Sequence, residues 1–294
     1  MASSKTAEFV AFYRALEDAE MRRPPLFRDA YAHALLPRYL ATAVRLARRK
    51  PLRAAVEQYA DWRAPGARSS AIGRTRFIDD MLRGAVSRST TQIVVLGAGF
   101  DCRAHRMAEL GSCSFFEVDR PDTQAEKRAR LGAMRGVPVR PDVRYVAVDF
   151  QKDDVATELV AAGWDTTKPT AFVWEGVTNY LNEDAVGGVL TMVSRAAPKS
   201  EIVFTYIHRG VLDGSERFHG AAKLVSNVQR LGEPWTFGLV PEEVPEFVRK
   251  FGLELQEEAG ADSYRARYLS PREPGLRGYA FYRIAIARVP APIS

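Results

Sequence analysis

The sequence predicts an α/β fold built on a mostly parallel sheet. Three observations support this. Short apolar runs recur from residue 92 onward: Gln92–Leu96, Ser114–Asp119, Val143–Phe150, Thr170–Gly176 and Ile202–Tyr206. The first shows no polar–apolar alternation, as expected of a strand buried on both faces. Helix-patterned segments separate the runs, and strands alternating with helices need crossovers, hence parallel pairing.

The chain of 294 residues, 46% hydrophobic, can bury a sizeable core as one unit. Its net charge of +6 is carried by scattered arginines with acids between them, which reads as a solvated basic surface. The two cysteines, Cys102 and Cys113, form no CxxC pair and have no histidine cluster beside them, so neither a metal site nor a disulfide framework is predicted. The N-terminus lacks the apolar core of a signal peptide, and no run approaches the ~20 apolar residues of a membrane span. A cytoplasmic protein without membrane contact is expected.

Residues 1–87 read as helical and strandless. Pro24 and Pro25 are expected to open a helix, followed by apolar Leu26, Phe27, Tyr31, Leu35 and Leu36. The basic block Arg45, Arg48, Arg49, Lys50 and Arg53 is expected to be a solvated face, with docking of an acidic partner as the alternative. Over 68–86, Ile78, Met81, Leu82 and Val86 recur at helical spacing, and Arg74 shares their stripe. A buried arginine requires an anion, either an internal acid or a ligand carboxylate gripped by its planar fork.

Gly97 and Gly99 end the first strand, where positive φ and a close backbone approach to a ligand are available. Glu117 lies 20 residues past Gly97 and Asp119 lies 22 past it, a spacing suited to ribose hydroxyls. The third strand is expected to end in Asp149 and the fourth in Glu175. Acids at strand ends suit hydroxyl and amine donors better than phosphates. A dinucleotide turn would want a third glycine, but Phe100 and Asp101 follow Gly99. The pattern favours a nucleoside carrying an amino acid, namely S-adenosylmethionine (SAM). Farther on, Asn182 is expected to cap a helix with Glu183 and Asp184 in its first turn. Residues 213–250 read as helical, interrupted by Gly232, Pro234, Trp235 and Gly238, either a surface connection or a lid. Strands near 253–257 and 279–288 complete the sheet.

Five motifs occur in order: Gly73-Arg74-Thr75-Arg76-Phe77-Ile78-Asp79-Asp80, Val95-Leu96-Gly97-Ala98-Gly99-Phe100-Asp101-Cys102-Arg103, Phe116-Glu117-Val118-Asp119-Arg120-Pro121, Val148-Asp149-Phe150, and Trp174-Glu175-Gly176-Val177-Thr178-Asn179-Tyr180-Leu181. From about Ser70 to Tyr206 the chain resembles the leucine carboxyl methyltransferase family, in particular its bacterial SAM-dependent branch. The resemblance implies a Rossmann-like class I methyltransferase: a mostly parallel seven-stranded sheet with an antiparallel last strand. It also implies an N-terminal helical cap over 1–87 and a core over 88–294, with a helical lid insertion at about 210–250. By the same resemblance Arg74 holds the methionine carboxylate of SAM and Gly97 packs against its methionine and ribose part. Asp119, with Glu117 nearby, binds the ribose hydroxyls, and Asp149 and Phe150 frame the adenine. Glu175 lies near the amino group, and Tyr180 faces the reacting methyl or the substrate.

The activity expected is O-methylation of a carboxylate on a peptide or small molecule. A carboxylate is ionised at neutral pH, with a reference pKa of about 4, and needs no general base. A hydroxyl acceptor, such as one on a secondary metabolite, usually needs one. Of His33, His105, His208 and His219, His208 follows the fifth strand and is the candidate base. Three other readings stay open: a non-catalytic SAM-binding module, an NAD-dependent oxidoreductase, and an RNA-modifying enzyme suggested by the 45–53 block. Nucleic acid is not the expected partner, and oligomeric state is left open.

Overall fold

A computed structural model describes residues 5–269 and 276–291. Helices α1 (Lys5–Asp18), α2 (Arg38–Ala47), α3 (Lys50–Arg63) and α4 (Ala67–Ser87) come first. Strands β1 (Gln92–Leu96), β2 (Ser114–Asp119), β3 (Arg144–Ala147), β4 (Thr170–Trp174) and β5 (Glu201–Ile207) follow. They are joined through α5 (Arg103–Arg106), α6 (Pro121–Gly132), α7 (Val155–Ala161) and α8 (Glu183–Ser194). The rest comprises α9 (Gly210–Asp213), α10 (Ala221–Arg230), α11 (Val244–Arg249), β6 (Glu254–Ala259), α12 (Ala261–Tyr268) and β7 (Tyr282–Arg288).

The sheet has seven strands in the order β3-β2-β1-β4-β5-β7-β6. Strands β1 to β5 pair in parallel, and β7 runs antiparallel between β5 and β6. Every residue of β1, β4 and β5 is buried, which explains their unbroken apolar runs. Alternate residues feed opposite faces. Val94, Leu96, Phe172 and Trp174 pack with Leu159 of α7, Val186 and Leu190 of α8, and Val244 of α11. Ile93, Val95 and Val173 meet Phe77, Ile78 and Leu82 of α4. The sheet and the preceding helices therefore share α4, which covers one face.

Local expectations hold at several element ends. Asn182 accepts a hydrogen bond from the Ala185 amide at 2.9 Å, capping α8. Pro121 occupies the first turn of α6. Elsewhere the structure departs from the sequence reading. No helix opens at Pro24 or Pro25; the connection is irregular because α1 carboxylates pin it. Glu17 accepts from the Leu26 amide at 2.6 Å and pairs with Arg23 at 2.8 Å. Strand β3 stops at Ala147, so Asp149 lies beyond it. Helix α12 was not foreseen; its Tyr264 fills the space over Gly73, where a Cβ would sit 2.5 Å from the ring. The 213–250 stretch is helical only in pieces, and residues 231–240 are irregular.

Arg53 also departs from the solvated face assigned to its block. It is 4% exposed, donating to the Leu16 and Ala19 carbonyls and to Glu57. Arg45, Arg48, Arg49 and Lys50 are exposed.

Candidate active site

Turns at the carboxyl ends of β1, β2 and β4 converge beside α4. Gly97 and Gly99 have φ of +66° and +45°. A Cβ on Gly97 would lie 2.3 Å from Val177 Cγ2, so the turn after β1 and the turn after β4 touch at a point only glycine allows. The Gly99 amide donates to Asp119 Oδ2 at 2.5 Å, and the Arg120 amide donates to Asp119 Oδ1 at 2.7 Å. Burial raises the Asp119 carboxyl above its ordinary range, although both amides pull against that shift.

Helix α4 delivers Arg74, which is 4% exposed. Its Nη1 donates to Ser70 Oγ at 3.2 Å and its Nε to Glu175 Oε1 at 3.4 Å. The guanidinium lies over the Tyr282 ring, 4.1 Å from the centroid. Its Nη2 makes no hydrogen bond among the described residues.

Around Arg74 extends an ionic cluster. Arg103 Nε donates to Asp79 Oδ1 at 2.9 Å, its Nη1 donates to Glu175 Oε2 at 3.1 Å, and the same Nη1 donates to Asp101. Arg106 donates twice to Asp79, at 2.7 and 2.6 Å. Arg14 of α1 donates to Asp29 at 2.8 Å and to the Phe100 carbonyl. Four guanidiniums (Arg14, Arg74, Arg103, Arg106) thus face four carboxylates (Asp29, Asp79, Asp101, Glu175), and the cluster is neutral. Burial alone would raise the Asp101 carboxyl, but Arg103, Arg14, Lys127 and Arg106 together hold it well below its ordinary value. The side chains of Glu175 and Asp101 keep 14% and 12% exposure, so the cluster opens on their side.

Two expected site residues are placed differently. Glu117 is 1% exposed and its carboxylate is held 2.6 Å from Lys127 Nζ, also 1% exposed. Burial pushes this carboxyl up to about 6 despite the ammonium. The pair is internal and engages only Oε2, leaving Glu117 Oε1 buried without a hydrogen-bond partner among the described residues, whereas Asp119 sits at the turn against the Gly99 and Arg120 amides. His208 is 7% exposed. Its Nδ1 accepts from the Gly210 amide at 3.1 Å, and its Nε2 faces Glu216 Oε1 at 3.6 Å. The Nδ1 lone pair is taken by the Gly210 amide, so the neutral ring carries its proton on Nε2 and keeps no free lone pair for a substrate proton; Glu216 lies beyond hydrogen-bond distance.

Asp149 is half-buried, accepts from the Gln151 amide at 3.1 Å and pairs with Lys152 at 3.3 Å. Phe150 borders a cleft of about 380 Å³ between α7 and α8, its ring 6.5 Å from that of Trp174. The Tyr180 hydroxyl is pushed up to about 12 by burial and faces Tyr282, Trp235 and Thr6. The irregular 231–240 stretch closes over this wall. Thr236 donates from its amide to the Asn179 carbonyl at 2.7 Å and from its hydroxyl to the Leu181 carbonyl at 2.9 Å. Thr6 of α1 donates to Glu233 at 2.5 Å.

Sequence reasoning missed Asp79, Arg106, Arg14 and Asp29 as parts of the site. A signal existed for Asp79: it stands four residues after Thr75 and three before Leu82, on the buried side of α4. Arg14 and Asp29 gave none, because their partners are remote in sequence.

The strand order, with β7 antiparallel between β5 and β6, is that of the class I methyltransferase fold. A Thermobifida fusca protein named as a methyltransferase superposes over 98% of both chains at TM-score 0.58 and 20% identity. A DUF574-family protein of Streptomyces avermitilis does so over 98% of both chains at TM-score 0.62 and 13% identity. The leucine carboxyl methyltransferase profile matches residues 7–194. A Streptomyces coelicolor relative, named as a SAM-dependent methyltransferase, is 37% identical over 74% of this chain and 72% of its own. One from Mycobacterium bovis with the same designation is 33% identical over 77% and 73%. The chain belongs to the leucine carboxyl methyltransferase family.

Proposed function

We propose that this protein is a SAM-dependent O-methyltransferase that seats SAM across the carboxyl ends of β1, β2 and β4. The observation that carries the reading is Arg74, a buried guanidinium with one amine unpaired among the described residues, beside the partly open Glu175 and Asp101. An amino-acid zwitterion suits this pair of charges, its carboxylate on Arg74 and its ammonium on Glu175. Asp119 would take the ribose hydroxyls. Asp149 and Phe150 would border the adenine, and Gly97 and Gly99 would leave room for the chain between. When bound, SAM supplies a methyl group made electrophilic by its sulfonium.

The chain's contribution is positioning. The Arg103–Asp79–Arg106 links hold Glu175 and Asp101 in place, while Tyr180, Trp235 and Thr6 screen the acceptor side from water. The acceptor we favour is a carboxylate of a peptide or small molecule, which is already ionised and needs no base. The His208 Nδ1, already accepting from the Gly210 amide inside the turn after β5, supports a base-free route. A hydroxyl acceptor is the second reading. It is favoured by the Tyr180 surroundings, where Tyr282, Trp235, Thr6 and Glu233 bring hydroxyls, an indole and an acid. An NAD site fits poorly: the glycine turn enters α5, only four residues long, and a pyrophosphate there would meet Asp101 and Asp119.

The test is calorimetric titration with SAM and with NAD, followed by transfer from methyl-labelled SAM to panels of carboxylic acids and phenols. Alkali releases methanol from a methyl ester and not from an ether, which separates the two acceptors. SAM binding without turnover on any acceptor would indicate a binding module. NAD binding in place of SAM would overturn the proposal.

A further inference from the structure

We propose that the outer face of the α2–α3 pair is a docking surface for an anionic lipid bilayer. Large apolar side chains stand in solvent there: Tyr39 is 60% exposed, Leu46 41%, Leu52 38%, Tyr59 64% and Trp62 64%. They are ordered along the helices. Tyr39 and Leu46 are two turns apart on one face of α2. Leu52, Tyr59 and Trp62 share one face of α3. The opposite faces are filled, with Leu40, Val44 and Ala47 in the core and Arg53, Glu57 and Ala60 buried. Each helix therefore has a packed inner face and a second apolar stripe that faces water. Large exposed apolar side chains grouped along two packed helices, with Tyr59 and Trp62 in ring contact, mark an interaction site.

Charge selects the partner. Arg38, Arg45, Arg48, Arg49, Lys50 and Arg63 are all exposed on these helices and their connection. The two acids of the span are committed elsewhere: Glu57 is bonded to Arg53 and Arg22, and Asp61 is paired with Arg68 at 2.7 Å. Lys223 of α10 adds a further cation, 4.7 Å from the Trp62 ring centroid. A second copy of the chain would set like charges against like. An acidic protein matches the charge. An anionic bilayer matches the charge and also gives Tyr39, Tyr59 and Trp62 the half-wet interfacial layer that amphipathic rings favour. The contact is with the membrane surface: no helix among the described residues is long and apolar enough to cross a bilayer. This departs from the sequence expectation of no membrane contact. The face also adjoins the acceptor wall. The Trp62 and Arg63 carbonyls accept from Lys223 and Asn227 of α10, and the stretch after α10 carries Glu233 and Trp235.

The experiment is co-sedimentation of the full-length protein with phosphatidylcholine vesicles, with and without phosphatidylserine, at low and high salt. Pelleting is expected only with phosphatidylserine and should fade as salt screens the headgroups. Each cation near such a surface strengthens binding about fivefold, so Arg48→Glu/Arg49→Glu should weaken it more than about 25-fold. Tyr59→Ser/Trp62→Ser should weaken it about tenfold through lost apolar burial. A vesicle-induced blue shift of tryptophan emission should vanish in Trp62→Phe. Circular dichroism melts verify that each variant is folded, and Arg45→Gln/Lys50→Gln replaces the first pair should it unfold. The proposal is overturned by folded protein that stays in the supernatant with phosphatidylserine vesicles, or by pelleting that all variants leave unchanged. Binding to polyglutamate without binding to vesicles would also overturn it, in favour of an acidic protein partner.

Discussion

Arg74→Ala removes a guanidinium that lies 3.4 Å from Glu175, 3.2 Å from Ser70 and 4.1 Å from the centre of the Tyr282 ring. Stranding a buried carboxylate costs about 3–5 kcal/mol. Glu175 is not stranded, because Arg103 still donates to it at 3.1 Å. The expected loss of stability is therefore smaller, about 1–2 kcal/mol, or a drop in melting temperature of roughly 2–6 °C. The loss of affinity should be larger. A fork on a carboxylate makes two charge-assisted hydrogen bonds of about 1.5–3 kcal/mol each, not fully additive. Their removal, at about 3–4 kcal/mol, raises the Kd for SAM by roughly 150- to 1000-fold. Arg74→Lys keeps the charge without the planar fork and should recover about tenfold of that loss. Calorimetric titration paired with thermal melts reads both quantities. A Kd within about threefold of the parent, in a variant that melts as expected, would refute the carboxylate clamp. A melting temperature lowered by more than about 10 °C would mark Arg74 as a structural strut instead.

Asp79→Ala should cost about 3–5 kcal/mol in urea unfolding at pH 7, since it leaves the buried Arg103 and Arg106 without their shared carboxylate. Burial would raise the Asp79 carboxyl, but Arg106 and Arg103 hold it below its ordinary value. Its stabilisation is therefore complete above the unfolded pKa of about 4 and lost as pH falls through the depressed native value, so the parent should lose stability in acid and Asp79→Ala should lose less. Lys127→Met leaves Glu117 buried and alone, and only its ionised form is penalised. The destabilisation should be larger at pH 8 than at pH 5; equal unfolding curves at both would disprove the pairing. Gly97→Ala forces a Cβ to 2.3 Å from Val177 at positive φ, and should lower stability by about 2–4 kcal/mol, with Val177→Ala restoring part of it. Tyr180→Phe should cut kcat about tenfold while leaving the SAM titration unchanged, whereas His208→Gln should leave the pH profile of kcat unaltered.

How legible each part was depends on the range of the forces involved. The strands were readable because burial on both faces demands unbroken apolar runs, and β1 and β2 begin and end where their residues indicated. The Asn182 cap and Pro121 were readable because capping is settled within a few residues. Arg74 was suspect because its spacing placed it on an apolar stripe. The connection at Pro24 was not readable, because carboxylates of a preceding helix, with no local signature, decide its path.

Sequence alone determined the alternation of strands and helices, the glycine turn and the acids at strand ends. Each of these rests on short-range sterics, solvation or periodicity. Only the tertiary structure decided which charges neutralise which. Glu117 and Asp119 stand two residues apart on one strand; Lys127 of α6 pairs with the first, and the Gly99 amide holds the second at the turn. Arg14 and the Phe100 carbonyl are 86 positions apart, yet they meet. Coulomb energy and desolvation depend on distance and burial in space, and neither can be read from the order of residues along the chain.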